Sequence, residues 1–266
     1  MPRPPLETLA NQTVSLVLLV VLAVLVATAV LFAARAVRRE NNWLPLLLIA
    51  GGSLAMVWEP VVDILGACWH PAIGQWTLFT AFDRPMPVWL GLAYPWYFGA
   101  QTALIWYALS RGKLRPVMLW PWWVAMIVSD IVLETVGLHF DGWIYYGQQP
   151  LVFLKFPLWW AATNSVGVLL AAVVTWKIEP YLRGPRTLLA LLIPIATYAA
   201  ANGAVAVPAF VAINAPVSPL VTQLCGVLCF VLSAVVVNLL VHIAAAESTD
   251  AMRAVSPRRS VAPVST

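Results

Sequence analysis

Seven long apolar stretches, separated by short polar connections, dominate the chain. A helix needs about 20 apolar residues to cross the hydrocarbon layer of a bilayer, and each stretch is roughly of that length. The apolar residues run continuously instead of alternating with polar ones, which favours membrane helices and excludes an outer-membrane barrel. The predicted spans cover residues 12–34, 43–65, 87–109, 117–136, 151–176, 187–213 and 220–245.

The connections between these spans are too short to hold a soluble domain. We therefore expect one all-α domain, a bundle of seven transmembrane helices, over residues 1–246. The first span is longer than the apolar core of a signal peptide, which has about 7–15 residues, so it is predicted to remain in the protein. The segment 247–266 is rich in Ser, Pro and Arg and is predicted to be a disordered cytoplasmic tail.

The composition agrees with this pattern. Of the 266 residues, 62% are hydrophobic and only 10% are charged, against roughly 25% charged in an ordinary soluble domain. The mean hydropathy is +0.85. A soluble fold of this size has no interior large enough for so much apolar surface, so lipid must cover the excess. These values exclude a cytosolic enzyme and predict a multi-pass protein of the cell membrane.

Basic residues follow every second span. Placing all of them on the cytoplasmic side satisfies the positive-inside rule and predicts an outer N-terminus and a cytoplasmic C-terminus. The net charge of +4 then reflects topology and contact with anionic membrane lipid, and nothing indicates a nucleic-acid partner. Four groups of three hold twelve of the fifteen basic residues: Arg35, Arg38 and Arg39; Arg111, Lys113 and Arg115; Lys177, Arg183 and Arg186; and Arg253, Arg258 and Arg259.

The cysteines are few and widely spaced. Cys68, Cys225 and Cys229 form neither a disulfide framework nor a zinc-binding pattern. Cys225 and Cys229 lie one helical turn apart in an apolar span and are predicted to be packing residues, with a Cys68–Cys225 bridge as the alternative. Since clustered His and Cys are absent from the sequence, we expect no metal site.

Four acidic residues fall inside predicted spans. Glu59 and Asp63 lie in the second span, and Asp130 and Glu134 in the fourth. Each pair is spaced i, i+4, so both carboxyl groups share one helix face. A charged side chain costs about 2.5–3.5 kcal/mol at the centre of a span by insertion scales. Pro60, next to Glu59, predicts a break in that helix. These four carboxyl groups are the candidate catalytic residues, with Asp63 and Glu134 as the first candidates for acid and base, supported by Glu59 and Asp130.

The two acid pairs occur in copies of one pattern, acid-x3-acid-x2-Gly, which ends at Gly66 and Gly137. A Pro-x-Trp motif follows each copy at a similar distance. Residues 43–109 and 117–176 are therefore predicted to be parallel repeats related by an axis along the membrane normal. Such a repeat places both pairs at one depth, facing a shared cavity, with the glycines leaving room for a ligand or a close helix.

The expected chemistry is proton transfer. Burial favours the protonated form of a carboxylic acid, and a second carboxyl group on the same face favours it further. A protonated acid beside an ionised one forms a donor–acceptor pair for acid–base catalysis. Polar and aromatic residues near the acids are predicted to contact a lipophilic substrate: His70, Trp89, Tyr97, His139, Tyr146, Trp159 and Asn164.

Other functions fit the acids less well. A retinal Schiff base needs a lysine in the last span, which has none. A prenyltransferase needs basic residues for diphosphate, and the outer side offers little beyond Arg84 and Lys155. A proton-coupled carrier of a hydrophobic molecule remains an alternative, although carriers often have inverted repeats. In a further alternative, the carboxyl groups only fix helix packing.

Several short motifs together resemble the AveC-like spirocyclase family. The resemblance covers about residues 57–165 and does not extend to the last two spans. The motifs are EPVVD-x2-G-x2-W at 59–69, RPMPVW at 84–89, YPWYFG at 94–99, YYGQQP at 145–150 and PLWW at 157–160.

The resemblance implies an integral-membrane cyclase or dehydratase of the kind found in avermectin-type polyketide biosynthesis, which closes a dihydroxy-ketone into a spiroketal. That reaction needs an acid, a base and shelter for a cationic intermediate, so no cofactor is expected. The same groups would serve a membrane terpene cyclase, which is the alternative enzyme.

Overall fold

The computed structural model describes the backbone of residues 1–255 and the side chains of residues 1–246. Six helices in this part are long and apolar enough to cross a membrane, so the membrane-helix prediction is confirmed at that level. They are Gln12–Glu40, Leu44–Leu65, Pro116–His139, Trp159–Tyr181, Gly184–Asn214 and Pro219–Ala246.

Within these spans and between them, ten α-helices can be distinguished. Their bounds are α1 Gln12–Glu40, α2 Leu44–Ala55, α3 Glu59–Leu65, α4 Leu90–Tyr94, α5 Gln101–Ser110, α6 Leu119–His139, α7 Trp159–Ile178, α8 Leu192–Ala201, α9 Val207–Asn214 and α10 Pro219–Val255. Of the predicted tail, residues 256–266 lie outside the described part of the chain.

The predicted third span forms a continuous helical run from α4 to α5, but it is less apolar than the six long helices. A π-helical segment, Pro95–Ala100, joins α4 to α5. Its Tyr, Trp and Gln side chains lower the hydropathy of the run. Such wide turns are rare and are frequently found at functional sites, and this one contributes Tyr97 and Phe98 to the cavity described below.

The helix that carries Glu59 is broken next to this residue, as Pro60 predicts. A 3₁₀ turn, Met56–Trp58, separates α2 from α3, and Pro60 lies in the first turn of α3. Proline at this position needs no backbone N–H bond and fits the start of a helix. The break leaves Glu59 in the first turn of a short new helix.

Helix α7 forms the centre of the bundle. It packs against α5, α6, α8 and α10, and 72% of an apolar 18-residue stretch of the span Trp159–Tyr181 is buried. By contrast, only 17% of a stretch of the same length in α1 is buried. Its exposed Val and Leu side chains are those expected to face lipid tails.

Three small antiparallel sheets, absent from the sequence prediction, form a cap at one end of the bundle. Each is two-stranded and too short for the period of its side chains to be recognised among Trp, Pro and Gly residues. Strand β1 (Cys68–Trp69) pairs with β4 (Ile144–Tyr145), β2 (Thr77–Ala81) with β3 (Arg84–Pro87), and β5 (Val152–Phe153) with β6 (Phe156–Pro157).

The opposite end of the bundle gathers the basic groups that follow the first, third and fifth spans. Arg111 forms an ion pair with Glu40, and Trp106 Nε1 donates to Glu179 Oε2 at 3.0 Å. These contacts join the ends of α1, α5 and α7. The alternation of basic groups in the sequence therefore corresponds to one end of the structure.

Candidate functional site

A cavity of about 70 Å³ lies inside the bundle, beneath the cap. Three of the four predicted acids line it, namely Glu59, Asp130 and Glu134, together with His70 and Asn164. One acid of the first pair and both acids of the second, which are far apart in the sequence, therefore meet in one place. The largest group of lining residues is aromatic: Trp89, Tyr94, Tyr97, Phe98, Trp143, Tyr145, Trp160 and Tyr198.

Glu59 is held by two tyrosines from different helices. The hydroxyl of Tyr94, at the end of α4, donates to Glu59 Oε2. The hydroxyl of Tyr198 in α8 donates to the same oxygen at 3.2 Å. All three side chains are buried. Two donors on one carboxyl oxygen fix its position and replace the water that burial removes.

Glu134 and Asp130 are held in the same way from the other side of the cavity. Glu134 Oε2 accepts from Trp143 Nε1 at 2.8 Å and from the Tyr145 hydroxyl at 3.1 Å. Asp130 Oδ2 accepts from Asn164 Nδ2 at 3.2 Å. The cap supplies the donors to Glu134, while α7 supplies the donor to Asp130.

Asp63 does not line the cavity but lies behind His70. Its side chain is fully buried, and its Oδ2 lies 3.2 Å from His70 Nδ1. The second oxygen, Oδ1, has no hydrogen-bond partner. Burial lowers the pKa of the His70 imidazole, but the facing Asp63 carboxylate outweighs this effect, so the pKa of His70 lies above its ordinary value.

A tight turn brings Cys68 into the same cluster. Ala67 adopts a positive φ of 52°, which is uncommon for a residue with a Cβ and turns the chain back over α3. Strand β1 follows at once. Burial, reinforced by the nearby Asp63 carboxylate, raises the pKa of the Cys68 thiol well above its ordinary value. The three cysteines are free, so the alternative Cys68–Cys225 bridge is not formed.

The Asp63, Cys68 and His70 side chains are the one group of metal-binding type found in the described residues. One ligand atom from each lies within 4.8 Å of the other two, and all three residues are buried. The sequence analysis did not find this group, because it looked for clustered His and Cys. One of the three donors is the Asp63 carboxylate on α3, and the turn at Ala67 brings it close to the other two.

One wall of the cavity is a stack of rings. The His70 and Trp89 ring centroids are 5.8 Å apart, and those of Trp89 and Trp143 are 5.1 Å apart. Tyr97 is also buried on the wall, and its hydroxyl has no hydrogen-bond partner. A buried unsatisfied hydroxyl is costly and rare in native structures, so Tyr97 carries an unused donor in the wall of the cavity.

Tryptophan rings fill the space beside the two repeated glycines. A methyl group at Gly66 would collide with the Trp160 ring, and one at Gly137 with the Trp143 ring. The sequence analysis expected a ligand or a neighbouring helix there. The structure places cavity-lining aromatic rings against these glycines, so their small size sets the shape of the wall.

Three predicted substrate-contacting residues lie away from this cavity. His139 is exposed and follows Asp130 by nine residues, which at 100° per residue places it on the opposite face of α6. The Tyr146 hydroxyl accepts from Arg84 Nη2 at 2.7 Å within the cap. Trp159 is fully buried against Trp160 and Phe210. His70, Trp89, Tyr97 and Asn164 do line the cavity.

The sequence prediction missed four donors to the acids and one thiol, namely Tyr94, Trp143, Tyr145, Tyr198 and Cys68. Tyr198 is the single tyrosine of the sixth span, which is otherwise mostly apolar, and this was a usable signal. Trp143 looked like an interfacial anchor, and only its 2.8 Å bond to Glu134 distinguishes it. Cys68 was considered only as the partner of an alternative bridge to Cys225.

Comparisons of the chain with protein-family models, curated proteins and solved structures found no match.

Proposed function

We propose that this protein is an integral-membrane cyclase or dehydratase that uses buried carboxyl groups for acid–base catalysis on a lipophilic substrate. The observation that carries the proposal is the meeting of Glu59, Asp130 and Glu134 in one aromatic cavity inside a helical bundle. Buried ionisable groups in a membrane helix are costly and usually mark function. The motif resemblance to the AveC-like spirocyclase family adds spiroketal formation as the specific reaction.

The reaction needs one acid and one base. An acid protonates the hydroxyl of the hemiketal formed from the ketone and a first hydroxyl group, and water leaves. The resulting oxocarbenium ion is attacked by the second hydroxyl group, whose proton passes to a carboxylate. One dihydroxy-ketone thus gives one spiroketal and one water. General acid–base catalysis of this kind contributes about 10²–10⁴-fold to a rate.

The geometry suggests how the work is divided. Glu134 accepts two hydrogen bonds through Oε2, an arrangement that suits an ionised base. Asp130 lies one helical turn away on the same cavity wall and accepts a single bond, from Asn164, which leaves it free to act as the acid. Glu59 faces them with its own two tyrosine donors. Asp63 acts indirectly, by holding His70.

The aromatic walls suit a cationic intermediate. The faces of Trp89, Trp143 and Trp160 border the cavity, and an aromatic face attracts a cation through its quadrupole. Enclosure also keeps out water that would otherwise trap the oxocarbenium ion. The same environment supports a protonation-initiated terpene cyclase, so the test includes both substrate classes.

A route for a lipophilic substrate follows from the lining of the cavity. Leu133 of α6 lines the cavity and is also 36% exposed at the side of the bundle. Leu18 and Leu22 of α1 also line the cavity. A substrate dissolved in the membrane would enter sideways between α1 and α6. Because ligand pockets usually measure about 300–1,000 Å³, these helices must separate when it binds.

The helical run Leu90–Ser110 acts in this proposal as the third of seven spans, since it carries Tyr94 and Tyr97 to the depth of the acids. The cap then lies on the outer side and the basic groups on the cytoplasmic side, with the N-terminus outside and the C-terminus inside. This orientation follows the positive-inside rule.

The test is conversion by protein purified in detergent and supplied with model dihydroxy-ketones or polyprenyl compounds. Products are followed by mass spectrometry and chiral chromatography. We expect a dihydroxy-ketone to lose one water and give one stereoisomer, whereas a cyclised polyprenyl compound would keep its mass. Asp130→Asn should abolish turnover and keep the size-exclusion profile. Asp83→Asn, an exposed acid at a cap turn, is the matched control.

Wild-type turnover in Asp130→Asn would contradict the assignment of this acid. If neither substrate class is converted, but the protein takes up a hydrophobic substrate together with protons in liposomes, the protein is a carrier and the enzyme proposal fails.

A further inference from the structure

We propose that Asp63, Cys68 and His70 form a site for a divalent transition metal such as Zn²⁺, with an open coordination position on the cavity. The inference rests on the proposed function for the role of the metal, but not for its binding. The donors are one carboxylate, one thiol and one imidazole, whose ligand atoms lie within 4.8 Å of one another.

The local backbone assembles these donors. Cys68 and His70 are two residues apart, at and just after strand β1, and alternate side chains of an extended chain point to the same face. The left-handed conformation of Ala67 reverses the chain directly before them. Asp63 lies on the last turn of α3, immediately beneath. A non-glycine residue held at positive φ is strained, and such strain is concentrated at functional sites.

An independent observation comes from the carboxylate itself. Asp63 is fully buried, and its Oδ1 has no hydrogen-bond partner, whereas Oδ2 contacts His70. Burying a carboxylate oxygen without a partner is costly, because the water that solvated it is not replaced. Glu59, Asp130 and Glu134 each accept a hydrogen bond from a Tyr, Trp or Asn donor, and none of their oxygens is a buried atom without a partner. A cation beside Oδ1 would satisfy this one.

The donor set selects the metal class. Thiolate and imidazole ligands suit Zn²⁺, Co²⁺ and related ions, whereas Mg²⁺ and Ca²⁺ prefer oxygen alone. Binding replaces the thiol proton of Cys68, which passes to solvent. Three protein ligands leave a fourth tetrahedral position, the arrangement of catalytic zinc sites. Since Cys68 and His70 line the cavity, that position would open onto the space that Glu59 also borders.

Here the metal would act as a Lewis acid on the substrate. A ketone oxygen or leaving hydroxyl bound at the open position would be polarised, while the cavity acids exchange protons. This gives Asp63, Cys68 and His70 a role distinct from that of Asp130 and Glu134. It also accounts for the position of Asp63 behind His70 instead of on the cavity wall.

The test measures metal binding without any substrate. Tag-free protein in detergent is stripped with a chelator and titrated with Co²⁺, and the thiolate-to-metal charge-transfer absorption is recorded. We expect stoichiometric binding with this band. Cys68→Ser should abolish the band, and Asp63→Asn should weaken Co²⁺ binding by more than about tenfold. Cys229→Ser, a buried thiol in α10, should leave both unchanged.

Thermal unfolding without metal shows whether each variant is folded. Added Zn²⁺ should raise the unfolding temperature of wild type and Cys229→Ser but not of Cys68→Ser. A wild-type protein that binds no Co²⁺, or a band that persists in Cys68→Ser, overturns the metal site. Cyclisation by metal-free protein at the full rate would remove the metal from the mechanism and leave the acid–base function standing.

Discussion

Glu134 Oε2 accepts a hydrogen bond from the indole Nε1 of Trp143 at 2.8 Å, so the chain that leaves α6 folds back over the acid that α6 carries. The same indole covers Gly137 and stacks on Trp89. One residue of the cap thus orients an acid and forms part of the aromatic wall. The cap is therefore a working part of the site.

Replacing the Glu134 carboxylate by a neutral amide should stop the reaction without unfolding the protein. Glu134→Gln keeps an oxygen that can accept from Trp143, but it cannot take up a proton. We expect turnover to fall by at least about 100-fold, measured as product by mass spectrometry, with an unchanged size-exclusion profile. Glu7→Gln, an exposed acid, is the control. Equal activity of the two variants would remove Glu134 from the mechanism.

Removing the free hydroxyl of Tyr97 should lower kcat/KM without lowering the stability of the protein. Since this buried group has no partner, Tyr97→Phe should keep or raise the unfolding temperature, yet lower kcat/KM through the loss of a substrate contact. Tyr198→Phe is the comparison, because its hydroxyl does bond to Glu59; its loss should cost about 1 kcal/mol. A Tyr97→Phe variant with wild-type kcat/KM would show that no substrate atom meets this hydroxyl.

The glycine of the repeated pattern should be intolerant of a single methyl group. Gly137→Ala places a Cβ against the Trp143 ring, and overpacking of this kind costs about 1–3 kcal/mol. The loss of stability is measured as a lower unfolding temperature in detergent. Gly203→Ala is the matched control, since no atom lies within 4 Å of its added Cβ. If both variants have the unfolding temperature of the wild type, the Trp143 ring packs less tightly against Gly137 than described.

Entry from the membrane should depend on Leu133. A Leu133→Trp variant adds bulk where α6 borders the cavity and should lower kcat/KM more than kcat, because it obstructs binding without touching the acids. Val132→Trp places the same side chain on the neighbouring exposed position, away from the cavity. Kinetics with the substrate in mixed micelles compare the two. Equal kcat/KM values would argue for entry through the cap.

Two predictions from the sequence hold because they depend on local chemistry alone. Continuous apolar runs require membrane helices, since the bilayer satisfies no backbone hydrogen bonds, and six are found. Pro60 lacks an N–H donor, and the helix is interrupted just before it, at Met56–Trp58. Neither outcome depends on distant residues.

The composition of the site depended on contacts between distant segments. Helical periodicity placed Glu59 and Asp63 on one face, yet their roles differ: Tyr198, from another helix, bonds to Glu59, while His70 covers Asp63. Similarly, the periodicity of α6 separates His139 from Asp130, a result the sequence contained and the prediction overlooked.

By itself, the sequence determined a membrane bundle, the segregation of basic residues and the presence of four acids inside the spans. Charge is costly in lipid, so the position of each charged residue along the chain is informative. Only the tertiary structure decided which acids share a cavity, which rings enclose it, and that Asp63, Cys68 and His70 converge. Those contacts arise from the packing of helices and the turn at Ala67. The pattern of residues within one segment does not give its distance from another segment.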